Sequence, residues 1–216
     1  ASLRRTKGVT VTLREVSPMI AALTGMGLSA AAGLNAYIPF LVVALLARFT
    51  DAFTLPVGFE WMESWWAIGI GAVLLVTEIT LDKVPAVDSL NDAVQTVIRP
   101  GMGGLMGAAT AGASTLDEST WMQEHAWVGV VLGIVVAGLV HTGKAASRPV
   151  INAGTAGFGA PVASTAEDGV AVGIALVAIF LPLLVILVLV VLVAALVWVL
   201  SAWRRLRRRR QARLAA

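Results

Sequence analysis

Long apolar stretches separated by shorter polar connections make up most of this chain. The apolar stretches cover residues 17–47, 65–81, 101–114, 127–142 and 169–200. Most of them approach or exceed the roughly 20 consecutive apolar residues that a helix needs to cross a bilayer. The pattern therefore predicts an all-α fold, a polytopic transmembrane helical bundle.

The first and last stretches are too long for one simple crossing each. Ser17 and Pro18 are typical of a helix start, but the stretch that follows is interrupted between Gly33 and Pro39, which predicts a tilted, kinked or broken helix. The last stretch contains Pro182 and no charge. It makes two short passes or projects as one long helix, unless an earlier segment is re-entrant. We therefore predict five to six crossings.

Acidic and basic connections alternate along the chain. Connections 49–63 and 115–125 contain Asp and Glu without Lys or Arg, and tryptophans flank them, as they do at membrane interfaces. Connections 82–100 and 143–168 carry Lys and Arg, as does the N-terminal segment 1–16. Because basic loops stay in the cytoplasm, we predict that both basic connections and both termini are cytoplasmic.

The composition agrees with a membrane protein and narrows its partners. Charged residues make up 13% of the chain, about half the share in an average soluble domain. Residues 17–200 form the predicted transmembrane domain, between the polar segment 1–16 and the basic tail 201–216. The seven arginines of the tail predict contact with anionic lipid headgroups. No aromatic interleaving or folded basic domain accompanies them, so nucleic acid is not an expected partner.

A shift of 61 residues along the chain aligns several uncommon residues. It pairs Trp66 with Trp127, Lys83 with Lys144, Asn91 with Asn152, and Pro100 with Pro161. Each copy has an apolar helix, a lysine at its cytoplasmic end, a polar connection, and a proline before another apolar helix. We therefore predict a degenerate internal duplication. Many transporters are built from such repeats, although duplication is equally a route to any helical bundle.

Charged residues cluster at the predicted cytoplasmic ends of the second and fourth apolar stretches. Glu78 and Asp82 are four residues apart and share one helix face. His141, Lys144 and Arg148 follow a similar spacing at the matching end of the other helix. If the two helices pack together, these residues form an intramembrane charge network. It then serves as a gate or ion-coupling site, or only as a static staple between helices.

Both basic connections are candidate parts of a translocation path. Residues 87–99 predict an amphipathic helix that either lies on the inner membrane surface or is re-entrant, with a polar face along an aqueous path. Residues 152–161 are too rich in glycine for a stable helix and predict irregular backbone, followed by a helix start at Thr165. The candidate path or gate residues are Lys83, Asp88, Asn91, Asp92, Arg99, Lys144, Arg148, Asn152, Glu167 and Asp168.

No enzyme signature occurs in the sequence. Nucleophile-elbow, zinc-protease and phosphate-loop motifs are absent, and Asp82, Asp88 and Asp92 are unevenly spaced for a metal-dependent site. The chain has no cysteine and two histidines, which is too few for a thiolate or His-rich metal centre. We therefore predict no catalytic residues, no metal and no cofactor.

The run Leu81-Asp-Lys-Val-Pro-Ala-Val-Asp-Ser89 carries the most specific part of a resemblance to a known family. Together with Gly33-Leu-Asn-Ala-Tyr37, Arg148-Pro149 and segment 159–168, it makes residues 18–185 resemble the bacterial membrane proteins grouped as domain of unknown function 4126. The resemblance implies a multi-pass protein of the bacterial inner membrane. It implies no activity and assigns no functional residue.

Three functional classes remain for such a bundle. A channel, transporter or lipid-headgroup translocator uses the two polar connections, 83–99 and 144–165, as its site for an unknown solute, ion or lipid. A non-transporting scaffold or accessory subunit uses the same charges only to hold helices together, and a membrane-embedded enzyme has the least support. A water-accessible cavity faced by Lys83 and Lys144 favours the first class, whereas dry, paired polar groups favour the second. Homo-oligomer formation is compatible with all three.

Overall fold

A computed structural model describes residues 13–83, 85–113, 121–155 and 159–214, and this part of the chain is helical without any strand. Seven long helices and one single-turn helix, α5, follow one another. They are α1 Leu13–Leu34, α2 Tyr37–Phe49, α3 Trp65–Leu81, α4 Pro85–Ala111, α5 Trp121–Glu124, α6 Ala126–Thr155, α7 Gly159–Phe180 and α8 Val185–Leu214. Short 3-10 turns, Glu60–Glu63 and Pro182–Leu184, precede α3 and α8. The all-α prediction is confirmed for the described residues.

Three of the described helical stretches are long and apolar enough to cross a membrane. They are Ala126–Arg148, Pro161–Phe180 and Pro182–Ala202. Shorter apolar helices cover Met19–Leu34, Tyr37–Phe49 and Trp65–Leu81. The helices therefore have the character of a membrane protein, while five to six crossings stay a prediction.

Hydrogen bonds and one ring contact show the relative directions of the first helices. The Ser29 hydroxyl of α1 donates to the Gly103 carbonyl of α4 at 2.8 Å, and Arg99 of α4 donates to the Gly33 carbonyl of α1. The later residue of α1 thus contacts the earlier residue of α4, so the two helices are antiparallel. The chain then turns back, because Phe49 at the end of α2 lies 5.9 Å from the Trp65 ring at the start of α3. Helices α1 and α2 form a hairpin whose tip lies inside the bundle.

The two ends of the bundle differ in chemistry. We call one the tryptophan end, where α3 and α6 begin with the exposed side chains of Trp65, Trp66 and Trp127. The other is the arginine end, where α8 continues into Arg204 and Arg205, both exposed. Since successive helices alternate in direction, α1 begins at the tryptophan end and α8 finishes at the arginine end. The first described residues and the end of α8 thus lie at opposite ends of the bundle, while the prediction that both termini are cytoplasmic stays a prediction, since residues 1–12 are outside the described part.

Two predicted connections are instead helical. The connection 82–100 and the apolar stretch 101–114 were expected as separate elements, but α4 runs through both and contains Pro100. In the other half, α6 continues to Thr155 and α7 already begins at Gly159. The glycine-rich backbone is thus helical on both sides of 156–158, and the predicted helix start at Thr165 is wrong. In α4, burial of the face with Asn91, Gln95 and Arg99 against neighbouring helices stabilises the helix beyond its intrinsic propensity.

The first and last apolar stretches are both broken, which was one of the alternatives predicted for each. Helix α1 ends at Leu34 and α2 begins at Tyr37, while Leu181 and the Pro182–Leu184 turn separate α7 from α8. Ser17 is not the start of the first helix, since α1 begins at Leu13. Proline at position 182 cannot donate the hydrogen bond that would continue α7, which accounts for the second break.

The half of the bundle nearer the tryptophan end is held by close backbone packing, which we call the glycine contact. Gly103 and Gly107 of α4 face Gly133 and Gly129 of α6, and a Cβ added at any of the four would meet the backbone of the other helix. Helices approach this closely only where side chains are absent. The two small-residue motifs therefore join α4 and α6 directly.

The predicted duplication is not confirmed. The shift of 61 residues makes Lys83 and Lys144 equivalent, yet Lys83 is exposed beyond the end of α3 whereas Lys144 is only 4% exposed within α6. The side chain of Asn152 is outside the described residues, so its match with Asn91 stays a prediction. Two aligned lysines in such different surroundings do not form one symmetric site.

Candidate functional site

Six charged side chains meet inside the half of the bundle nearer the arginine end. They come from α3, α4, α6 and α7, and five of them have side chains no more than 5% exposed, the sixth being Glu167 at 17%. Burial of so many charges far from water is costly unless each is paired. We call the group the charge cluster, and its members are Glu78, Asp82, Arg99, Lys144, Arg148 and Glu167.

Helical spacing places these side chains on inward faces. Glu78 and Asp82 are four residues apart at the end of α3, and Lys144 and Arg148 repeat that spacing on α6. On α4, the buried Asn91, Gln95 and Arg99 also follow one another at intervals of four. The polar face of the amphipathic segment 87–99 therefore points into the bundle, where its residues meet the other charges.

Asp82 is the acceptor shared by most of the cluster. One of its oxygens, Oδ2, lies 3.0 Å from Lys144 Nζ and 3.6 Å from Arg148 Nη2. The same oxygen accepts from the Ser164 hydroxyl at 3.3 Å, and Oδ1 accepts from Asn91 Nδ2 at 2.7 Å. One carboxylate thus links α3 to α4, α6 and α7.

Glu167 of α7 competes with Asp82 for the same two cations. Its Oε2 lies 3.2 Å from Lys144 Nζ and 3.3 Å from Arg148 Nη2. Both cations of α6 are therefore held between a carboxylate on α3 and another on α7. If the ion pairs with one of these carboxylates break, both cations still have the other carboxylate as a partner.

Arg99 of α4 forms a second centre deeper in the bundle. Its Nη2 donates to Glu78 Oε1 at 2.7 Å, and its Nη1 donates to His141 Nδ1 at 3.1 Å. A guanidinium only donates, so Nδ1 of His141 carries no proton. The Thr96 hydroxyl donates to the Asp92 carbonyl and therefore accepts from His141 Nε2 at 3.1 Å. His141 is neutral in this arrangement, and three carboxylates balance three cations in the charge cluster.

The break between α1 and α2 is built into the same network. Asn35 Oδ1 accepts from the backbone N–H groups of Tyr37 and Ile38, and so caps α2 in place of the carbonyls of α1. The carbonyls of Gly33 and Leu34 are left without helical partners. Arg99 donates to the first at 3.4 Å and Lys144 to the second at 3.0 Å. Cations at the carboxyl end of a helix are also favoured by its dipole.

Several buried polar atoms beside Arg99 have no hydrogen-bond partner within the described residues. These are the acceptors Glu78 Oε2 and Gln95 Oε1 and the donor Arg99 Nε. Asp92 Oδ1, also on α4, is a further buried acceptor of this kind. Buried acceptors without donors are rare in folded proteins, because each costs about 1–3 kcal/mol. The network is therefore tightly paired around Asp82 but incomplete around Glu78.

The candidate residues predicted from sequence divide into three groups. Arg99, Lys144, Arg148 and Glu167 lie in the charge cluster with Glu78 and Asp82, while Asn91 and His141 contact it. Asp168 accepts from Asn35 Nδ2 at 2.9 Å, at the rim of the network, and Asp92 is half-buried. Lys83 is exposed and outside the cluster, and the side chains of Asp88 and Asn152 are outside the described residues.

Sequence reasoning missed three contributors to this site. Asn35 was noted only at a helix interruption, although a polar residue between two apolar helices is a signal for a buried cap. Gln95 was noted only as part of an amphipathic face, and Ser164, which donates to Asp82, gave no recognisable pattern. No group of three or more His, Asp or Glu side chains in the described ranges is arranged to hold a metal ion.

The fold and the charge cluster define a helical protein of membrane character with a buried network of ion pairs. Residues 22–202 match the family described as a domain of unknown function (DUF4126), so the chain belongs to that family. The predicted resemblance is thereby confirmed. No curated protein and no solved structure matches the chain. Since the family description names no activity, a function has to be argued from the geometry.

Proposed function

We propose that this protein is a membrane transporter or channel in which the charge cluster is the gate near the arginine end. The observation that carries the proposal is the cluster itself: five buried charges and the partly exposed Glu167, supplied by four helices, at the tip of the α1–α2 hairpin. Ionisable groups at membrane depth mark ion and substrate pathways more often than they mark structural sites. The proposed location is bacterial inner membrane, with the arginine end toward the cytoplasm.

Stability alone gives a weak account of the cluster. Replacing a buried ion pair by well-packed apolar residues is often neutral or stabilising by about 1–4 kcal/mol. A bundle selected only for stability would therefore have little need for six charges on four helices. The unpartnered acceptors Glu78 Oε2 and Gln95 Oε1 add to this argument, since a proton or a small cation bound there would satisfy them.

The helix break supports the same proposal. Transporters commonly bind substrates and ions where a discontinuous helix exposes its terminal carbonyls inside the membrane. Here the buried carbonyls of Gly33 and Leu34 have no partner within a helix and accept hydrogen bonds from Arg99 and Lys144 instead. The likeness concerns architecture only, so it supports a class of function and names no substrate.

The shared cations suggest how the gate works. Lys144 and Arg148 lie between Asp82 on α3 and Glu167 on α7. Moving α3 away from α6 would break the pairs with Asp82, while the pairs with Glu167 would keep both cations partnered. The opened side would then expose Asp82 and the terminal carbonyls of α1.

A scaffold or accessory subunit is the second candidate, and one observation favours it. The three cations of the charge cluster each have an acidic partner, and Lys83 does not share a cavity with Lys144. A network that never opens would show the same pairing. An enzymatic activity has no supporting observation, and a homo-oligomer stays a prediction.

Flux measurements in reconstituted liposomes separate the two candidates. We expect the wild type to pass protons, Na⁺, K⁺ or phosphate, and Lys144→Gln to abolish that flux while remaining folded. Lys83→Gln is the matched control, because Lys83 is exposed outside the cluster, and it should leave flux unchanged. If no solute in the panel moves faster than in protein-free liposomes, the transport proposal fails and the scaffold replaces it.

A further inference from the structure

A groove lies between α6 and α8, to one side of the charge cluster. Its volume is about 360 Å³, and aliphatic side chains such as Val136, Leu139, Leu192 and Leu196 form most of its walls. At one end it reaches three polar residues, Lys144, Ser147 and Glu167. A cavity with a long apolar part and one polar end has the shape of an amphiphile.

The groove exists because α8 packs loosely along α6. Only 6% of the Pro182–Ala202 stretch is buried, compared with 33% of the Pro161–Phe180 stretch. Gly143 of α6 faces α8 without a side chain, and a Cβ there would lie 3.4 Å from Leu196. The space between the two helices is therefore open to the bilayer along its apolar length.

The groove is apolar toward the middle of the bundle and polar toward one end, as a lipid in one leaflet is from its acyl chains to its headgroup. Helices α6 and α8 both run from the tryptophan end to the arginine end, and Lys144 and Ser147 follow the apolar lining residues of α6, so the polar end of the groove points toward the arginine end. From Val136 to Ser147 the groove follows α6 for about 16 Å at 1.5 Å per residue, close to half of a hydrocarbon core about 30 Å thick. One acyl chain fits that length.

The polar end selects the chemistry of the headgroup. Lys144 is unexposed, and its three donors are used by Leu34, Asp82 and Glu167. Glu167 is the cluster member with the most exposed side chain, so a ligand in the groove meets a carboxylate first. Beyond Val199, α8 advances about 8 Å before the exposed Arg204 and Arg205. Arg204 follows the groove-lining Val193 by eleven residues, about three helical turns, and so lies on the groove side of α8. A carboxylate and an arginine at one end complement a headgroup that carries an ammonium and a phosphate.

We infer that the groove binds one phospholipid with a primary ammonium headgroup. One acyl chain lies between α6 and α8, the ammonium pairs with Glu167, and the phosphate faces Arg204. Three N–H donors allow the ammonium to approach the carboxylate as a trimethylated headgroup does not. The inference concerns binding only, so it holds whether the protein transports a solute or not.

Native mass spectrometry of the purified protein tests this site with ethanolamine, choline and glycerol phospholipids added separately. We expect the wild type to retain one ethanolamine phospholipid at detergent concentrations that remove the other two. Val193→Trp, which fills the groove, should weaken that retention at least tenfold. Val191→Trp is the matched control on the same helix, since both valines are similarly exposed, at 57% and 55%, and only Val193 lines the groove.

A second pair of variants covers the case in which a tryptophan disturbs α8. Gly143→Leu fills the groove from α6, while Gly69→Leu places the same side chain where nothing lies within 4 Å. Equal retention of the three lipids, or equal loss in groove and control variants, would mean ordinary lipid around the helices and would overturn the site. Either result leaves the flux experiment unaffected, so the two proposals fail separately.

Discussion

The two halves of the α4–α6 interface are built in opposite ways. Nearer the tryptophan end, four glycines bring the two backbones into direct contact. Nearer the arginine end, the same two helices are joined through side chains instead, since His141 of α6 contacts Arg99 and Thr96 of α4 at 3.1 Å each. Backbone packing admits one arrangement, whereas charged side chains can exchange partners. In the gate that we propose, the charged half of the interface rearranges while the half built on glycine stays fixed.

The largest expected effect comes from removing a charge in the half that can rearrange. Arg99→Gln leaves Glu78, with a side chain only 1% exposed, without its cation. An uncompensated buried charge costs about 3–5 kcal/mol, so the free energy of unfolding should fall by that amount. Equilibrium unfolding in detergent micelles measures it. A loss below about 1 kcal/mol would show that Glu78 is hydrated or neutral and that the pair does little.

A smaller loss is expected from the fixed half. In Gly107→Val the added side chain meets the backbone at Gly129 and pushes α4 away from α6. Overpacking typically costs about 1–3 kcal/mol. The control is Gly101→Val on the same helix, where a Cβ meets nothing within 4 Å. If both variants unfold alike, the glycine contact is not what holds this half together.

The coupling between charges should be measurable in a double-mutant cycle. Asp82→Asn and Lys144→Gln remove the two ends of one 3.0 Å pair, so their effects on unfolding should fall short of additivity by about 0.5–3 kcal/mol. Asp82→Asn combined with Arg48→Gln provides the comparison, because Arg48 packs over Trp65 at the tryptophan end. Additive losses in the first cycle would mean that the two helices do not meet at Asp82.

The smallest effect is expected at Lys83. Because its side chain is exposed outside the charge cluster, Lys83→Gln should change the free energy of unfolding by no more than about 0.5 kcal/mol. Lys144→Gln measured in parallel should cost several times as much. Equal effects would restore the symmetric pair of lysines that the sequence repeat predicted.

Local patterns predicted much of the fold because they depend on nearby residues. The bounds 65–81 were read directly from the sequence and match α3, and the breaks near Asn35 and Pro182 follow from residues that interrupt a helix. The helical state of 152–155 was missed because its glycine lowers the intrinsic helix propensity, which is only a weak guide to the folded state.

The candidate site was only partly predictable for a related reason. Regular spacing on each helix identified Glu78, Asp82, Lys144 and Arg148 as inward-facing charges, but spacing does not say which charges pair. Arg99 donates both to Glu78, 21 positions earlier, and to the Gly33 carbonyl, 66 positions earlier. Asn35 pairs with Asp168 across an even longer separation. Such contacts depend on the topology of the whole bundle.

The central claim is that the charge cluster opens while the glycine contact does not. It is tested by comparing the access of water to one buried position in each of these two regions. Ser164 and Ser29 are both fully buried, the first against Asp82 and the second against Gly103, and the chain has no native cysteine. The measurement is the labelling rate of Ser164→Cys and Ser29→Cys by a membrane-impermeant thiol reagent, with and without Asp82→Asn. We predict slow labelling at position 164, accelerated at least tenfold by Asp82→Asn, and no labelling at position 29 in either background. Protection of position 164 in both backgrounds, or equal rates at the two positions, would contradict the gate and leave a static network.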